Sequence, residues 1–524
     1  MPRRLRPWPV AWAVMIVVAA ALIGSDTLSQ FAAGLVHGSG PSKSIALPTF
    51  HAAAPPSAVC GNYSVLGAGP SSAPPDAVTV PAGDDSGLDL GEPHTTYWFA
   101  PGVHTLGSDE YKQIIPGTRA TYIGAPGAIL DGKHVNDYAF GGYASDVTIS
   151  YLTIRNFGSW GDNEGQGVVN HNSAAGWTVD HSTVSDNAGA GVMLGSDNTL
   201  SDDCLTDNQQ YGFNAYSPAG VIRNLTITQN EVTGNDTYNW EAHQKGCGCT
   251  GGGKFWDVDG AVVTGNWVSD NHSVGLWADT DNRGFQVTGN YISGNYSYGL
   301  IYEISYNAEI ADNTFVKNGL GEGPKDPGFP TAAIYVSESG GDSSVPGKFS
   351  GELSITRNTF INNWSGVVLW ENSNRFCNSP ANTSSSFCTL VNPRKVTLES
   401  CDQANIAKAP FYSECRWKTQ NVSVSNNLFD FSPAAVGSTC TAATQCGFVG
   451  VFSEYGTFPT WSPYQGETVE KNITFNQDNH FYANTYNGPW QFMVFQLGNV
   501  VPWLTWRSAP YAEDQGSVLR TSVQ

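Results

Sequence analysis

The chain has 524 residues, with 46 acidic against 25 basic side chains for a formal net charge of −21. Only 14% of residues are charged, while 12% are aromatic and 58 are glycine. So few charges beside so many aromatics exclude a disordered chain, and the glycine content excludes a coiled coil. The negative charge disfavours nucleic acid or an anionic membrane as a partner, and makes neutral polymers better candidates than strongly anionic ones.

Arg3, Arg4 and Arg6 precede an apolar run from Val10 to Ile23. This is the form of a secretory signal, and the run is shorter than the roughly 20 residues of a bilayer-spanning helix. Residues 1–30 therefore read as a signal peptide, or as a signal anchor if they are retained. The expectation is a secreted, extracellular monomer that touches a membrane only through that segment. Residues 31–85, with Pro55-Pro56 and Ser71-Ser72-Ala73-Pro74-Pro75, read as a Pro/Ser/Ala-rich linker and lead-in.

From Thr95 onward, short β-branched and aromatic runs alternate with Gly, Asn and Asp, and no stretch carries a sustained helical period with caps. An internal repeat decides the fold. Its pattern is Asn-x-Φ-x-x-Asn-x-x-x-Gly followed by an apolar run, where Φ is mostly Val, Ile or Phe. Asn266 to Asn271 with Gly275-Leu276-Trp277 is one copy, and Asn290 to Asn295 with Gly299-Leu300-Ile301 is the next. The last Asn of each unit falls at 187, 208, 235, 271, 295, 318 and 363, in steps of 21, 27, 36, 24, 23 and 45. A period of 21 to 24 with two or three short strands predicts an all-β, single-stranded right-handed parallel β-helix, each unit one coil of a solenoid. The long steps predict loop insertions near 236–254 and 319–350. The recurrent asparagines read as stacked turn residues that tie the backbone. The β-helix body is expected over 86–375. Residues 376–524 are expected to hold the last coils, a Cys-rich insertion and a C-terminal cap containing Trp503-Leu504-Thr505-Trp506-Arg507.

Ten cysteines in an exported chain predict disulfides rather than thiols. Six fall late, between Cys377 and Cys446, and the pairing cannot be read from the sequence. Cys247 and Cys249 lack a second Cys or His pair at zinc-like spacing, so a metal is not expected there.

Stacking turns sequence into geometry. The eighth residue after the last Asn is Gly195, Tyr216, Asp279, Glu303 and Glu371 in successive assignable units, so acids enter only in the middle of the array. Aromatic residues Trp256, Trp277, Tyr302 and Trp370 lie nearby, and aromatics beside acids in a charge-poor chain point to a carbohydrate cleft. Asp279 and Glu303 are expected on adjacent coils, about 4.8 Å apart. That is near the roughly 5–5.5 Å of a retaining glycosidase pair, in which one carboxylate attacks the anomeric carbon and the other gives and later takes a proton. Spacing alone leaves open which does which. Asp281 shares a strand face with Asp279 and is a further catalytic candidate. Glu371 is a subsite candidate, and Arg283, Lys254 and His243 are candidate contacts to hydroxyls or a carboxylate. Two other readings stay open. One is a Ca²⁺-dependent polysaccharide lyase, with the acids holding the ion and Lys254 or Arg283 as base. The other is a non-catalytic glycan-binding or cell-wall β-helix. No cofactor is required by the hydrolase reading.

Gly275-Leu276-Trp277-Ala278-Asp279-Thr280-Asp281-Asn282, followed by Tyr302-Glu303-Ile304-Ser305, resembles the W-x-D then E-[IV]-S pattern of secreted β-helix glycoside hydrolases of the retaining β-xylosidase type. Thr95 to Gly102 and Gly124 to Ala128 also resemble the start of pectate-lyase-like β-helix proteins. The first resemblance implies that Asp279 is the nucleophile and Glu303 the acid/base.

Overall fold

The structure, a computed structural model, describes residues 54–521 apart from 327, 382–395, 442, 455 and 457. The signal-like segment and Cys388 lie outside the described residues. The chain is a right-handed parallel β-helix. Among the described residues its coils build three sheets of 13, 14 and 11 strands, running from Val78–Val80 to Val518–Arg520. Every strand pair is parallel except the last of the third sheet, where Gln491–Phe495 and Val500–Val501 pair antiparallel.

Local sequence explains the coil. Three-residue runs such as Thr178–Asp180 and Thr183–Ser185 bury the central Val179 and Val184 and leave Thr178, Asp180 and Thr183 half-buried, while Ser185 is buried too. Between them one residue takes a left-handed conformation to turn the corner: His181, Asp202, Gln229, then Gly265 and Gly289 with φ +67° and +65°. The residue after each left-handed corner is usually asparagine, because its amide can satisfy the backbone that the corner leaves unpaired.

Two asparagine ladders result. Asn187, Asn208, Asn235, Asn271, Asn295, Asn318 and Asn363 form one, as the repeat predicts. Asn271 is representative: its Oδ1 accepts from the Asn235 backbone N and Nδ2, both at 3.0 Å, and its Nδ2 donates to Val232 O at 3.0 Å and to Asn295 Oδ1 at 2.9 Å. The second ladder runs through Asn230, Asn266, Asn290, Asn313, Asn358, Asn427 and Asn484. Asp203 occupies the rung before Asn230. Its Oδ1 accepts from Ser182 N at 2.7 Å, while its Oδ2 has no hydrogen-bond partner.

Inside, side chains stack along the axis. Phe315, Phe360, Phe429 and Tyr486 follow one another at ring separations of 5.1, 4.6 and 4.8 Å with nearly parallel planes. Disulfides join Cys60 to Cys204, Cys247 to Cys249, Cys401 to Cys415 and Cys440 to Cys446, and Cys377 is also disulfide-bonded. Among the described residues no helix is long and apolar enough to cross a membrane.

The third sheet positions the site. Its inward residues join the core, while its outward face carries an apolar cluster of Ile301, Tyr335, Val368, Phe448, Phe452 and Met493. The helix Thr468–Phe475, which no sequence period announced, packs on its C-terminal strands, and Phe329 of the second insertion packs on Tyr335 and Trp370. The strands Gly253–Phe255, Leu276–Ala278 and Leu300–Glu303 face a cleft beside this cluster, and Ile301 belongs to both.

Candidate active site

Register places the key side chains. Lys254, Trp277 and Ile301 are paired in that order across three strands, as are Phe255, Ala278 and Tyr302. Alternation sends Ala278 and Tyr302 inward and Lys254, Trp277, Asp279 and Glu303 outward. Asp279 and Glu303 each follow the paired residues Ala278 and Tyr302, so they stand side by side on adjacent coils, as the repeat predicts. Trp256 follows Phe255 and occupies the same position one coil earlier.

These residues line a cleft of about 1060 Å³. Its walls come from the two insertions. Residues 236–250 supply Asp236, Glu241, Cys247 and Gly248, and residues 322–326 supply Glu322 and Asp326. Gly248 has φ +58°, and a Cβ there would stand 3.0 Å from the Trp277 ring, so glycine lets the wall close on the aromatic floor.

Each central carboxylate has a cation. Lys254 Nζ lies 2.9 Å from Asp279 Oδ2 and 4.2 Å from the Trp277 ring centroid, and it also donates to the carbonyl of Gly248. Thr280 Oγ1 donates to Asp279 Oδ1 at 3.0 Å. Glu303 Oε1 is 2.5 Å from Arg375 Nη1, and its Oε2 accepts from Trp277 Nε1 at 3.2 Å. Arg375 Nη1 also reaches Glu338 Oε2 at 2.9 Å. Burial pushes the Glu303 carboxyl above its ordinary range; Arg375 pulls it down, and the nearby Asp279 and Glu338 push it up. On the walls, burial raises Asp236 to about 6, and burial with Asp326 and Glu241 raises Glu322 to about 7. Among the described residues no group of three or more His, Cys, Asp or Glu side chains is placed to hold a metal ion.

Five sequence candidates are therefore together: Asp279, Glu303, Lys254, Trp256 and Trp277. Six others are elsewhere, among them His243, which does not line the cleft and stacks on Tyr238. Asp281 lies beyond the strand end at Ala278, in a left-handed turn with φ +66°, so strand alternation does not carry it into the cleft. It faces Asp257 and Arg283 and is raised to about 6, chiefly by burial. Tyr302 points into the core, fully buried, with its hydroxyl donating to Tyr306 O at 3.1 Å. Arg283 begins a first-sheet strand and pairs with Asp259 at 3.2 Å. The turn after Asn363 is one residue shorter than the turn after Asn295. Trp370, not Glu371, therefore falls in the Glu303 register through Ser337. Trp370 packs on Phe329 outside the cleft, and Glu371 is fully buried against Arg416, Thr419 and Gln477. Arg375 had no sequence signal. It lies in an irregular segment after the strand Val367–Asn372, and no period reaches it.

A family model described as a right handed beta helix region matches residues 166–348. A search of curated proteins finds no match. Among solved structures, the A-module of a mannuronan C-5 epimerase from Azotobacter vinelandii is similar at 13% identity, over 86% of this chain and 89% of that one, with a TM-score of 0.40. An alginate lyase in complex with a trisaccharide is similar at 11% identity, over 86% and 87%, with a TM-score of 0.38. XylC in complex with xylose is similar at 11% identity, over 74% and 55%, with a TM-score of 0.37. At these values the chemistry of the cleft rests on its own residues.

Proposed function

We propose that the cleft binds a neutral polysaccharide or oligosaccharide and cleaves it as a retaining glycoside hydrolase. Asp279 attacks the anomeric carbon, while Glu303 protonates the departing oxygen and then takes a proton from the incoming water. The observation that carries this reading is the pair itself: two outward carboxylates on adjacent coils, at the floor of a cleft, each held by its own cation. Strands about 4.8 Å apart suit the roughly 5–5.5 Å of a double-displacement pair better than the roughly 6.5–9.5 Å of an inverting one. The roles follow from surroundings. Asp279 is ion-paired to Lys254, which suits a nucleophile that must be anionic. Glu303, raised by burial, suits a proton donor. Trp256 and Trp277 offer faces on which a sugar ring stacks.

A lyase needs a cation to neutralise a uronate. Lys254 and Arg375, the two at the floor, are both engaged by carboxylates, which favours hydrolysis. Incubation with a panel of neutral and acidic glycans, with products followed by NMR, tests the proposal. First-formed product of retained anomeric configuration supports it. An unsaturated, ultraviolet-absorbing product would establish a lyase, and binding without any product would leave a glycan-binding protein.

A further inference from the structure

The insertion that walls the cleft also carries aromatic side chains away from it. Asn239, Glu241 and Ala242 line the cleft on one side of this segment. On the same turn, Tyr238 stacks on His243 at 4.1 Å between ring centroids, with planes 20° apart, and packs on Trp240 at 5.0 Å. Beyond them stands Trp160, from a loop three coils earlier, with its ring 5.5 Å from Tyr238 and 67% of its surface exposed. The two loops are fixed to each other and to the coils. Gly161 N donates to Gln209 Oε1 at 2.8 Å, Gly165 N donates to Gln210 Oε1 at 2.7 Å, and Gln210 Nε2 donates to Cys249 O at 2.9 Å. A Cβ on Gly161 would meet the Tyr238 ring at 2.7 Å, so the approach is built on glycine. A large exposed indole held in place beside a tyrosine and a histidine, and continuous with a cleft, has the form of a sugar-stacking platform.

We infer that Trp160, Tyr238 and His243 form a distal binding platform for the same neutral glycan chain whose cleaved linkage lies in the cleft, so that the substrate is a polymer rather than a short oligosaccharide. This rests on the reading of the cleft as a carbohydrate site. The platform is continuous with the cleft because one segment, residues 236–250, contributes to both, and its stacking surface is made of rings rather than charges, which suits a neutral chain.

Native gel electrophoresis of the full chain in wheat arabinoxylan, barley β-glucan or konjac glucomannan tests it, with Glu303→Gln as the parent so that the polymer survives. At least one polymer should retard the parent. Trp160→Ala should weaken that retardation about tenfold, Trp160→Phe should restore most of it, and binding of the matching trisaccharide should stay unchanged by calorimetry. Absence of retardation in all three polymers, or equal retardation of parent and Trp160→Ala, would overturn the platform. The catalytic reading fails by a separate signal: retardation that depends on Trp160 while the unsubstituted chain releases no product from any polymer or aryl glycoside.

Discussion

Arg375 closes on Glu303 from 72 residues further along the chain, with Nη1 2.5 Å from Oε1, and the same nitrogen holds the buried Glu338. One guanidinium thus sets the charge of a cleft acid and neutralises a second acid beneath it. Removing it should act on both. In Arg375→Met the Glu303 carboxyl loses the influence that pulls it down, so its protonated form persists to higher pH. The alkaline limb of kcat/KM against pH should move up by about one unit. Stability should fall by about 3–5 kcal/mol, because Glu338 is left buried and unpaired. A limb that stays in place would remove Glu303 from the acid/base role.

The two central carboxylates should separate by leaving group. Glu303→Gln should lower kcat/KM by about 10²–10⁴-fold on alkyl glycosides and much less on nitrophenyl glycosides, whose departing oxygen needs no proton. Asp279→Asn should abolish turnover of both. Parallel kinetics on matched substrates check this, and equal losses on both substrates in Glu303→Gln would count against proton donation.

The ladder amides are expected to be structural in the plain thermodynamic sense. The Asn271 side chain makes four hydrogen bonds along the stack while nearly fully buried. Asn271→Ala should therefore cost about 2–4 kcal/mol in denaturant unfolding, since donors and acceptors on both neighbouring coils lose their partner. A change below about 0.5 kcal/mol would refute that role.

Asp203 is the exception that should be improvable. Burial pushes its carboxyl well above the ordinary range, so the folded chain keeps a proton that the unfolded chain releases. That contribution to stability is present in full below the ordinary carboxylate value and is lost as pH rises toward the elevated one. Asp203→Asn supplies the missing donor at every pH. It should raise stability by about 1–2 kcal/mol at pH 7 and by much less at pH 4, as measured by Tm at the two values.

Much of this was legible in the sequence, for a physical reason. A solenoid converts position in a repeat into height along an axis, so Asn271 and Asn295 announce their coils, and counting from them places Asp279 beside Glu303. The count fails where a turn changes length, which is why it lands on Glu371 instead of Trp370. Alternation fails where a strand ends, which is why Asp281 is not in the cleft. Tyr302 was lost to a simpler fact: its neighbour Glu303 faces outward, so it must face inward. Arg375 and the wall acids arrive on irregular segments, where no period links residue number to place; the long steps in the Asn spacing hinted at the wall acids, and nothing hinted at Arg375.

The coil that carries Asp279 and the one that carries Glu303 are joined by 24 residues without an insertion, while both cleft walls hang from coils on either side. Chassis and bodywork are thus separable. Residues 236–250 and 319–333 hold no rung of either asparagine ladder, so loops of other shape there would leave in place the strands that carry the two carboxylates, and on the proposed reading the choice of sugar could drift over a constant frame.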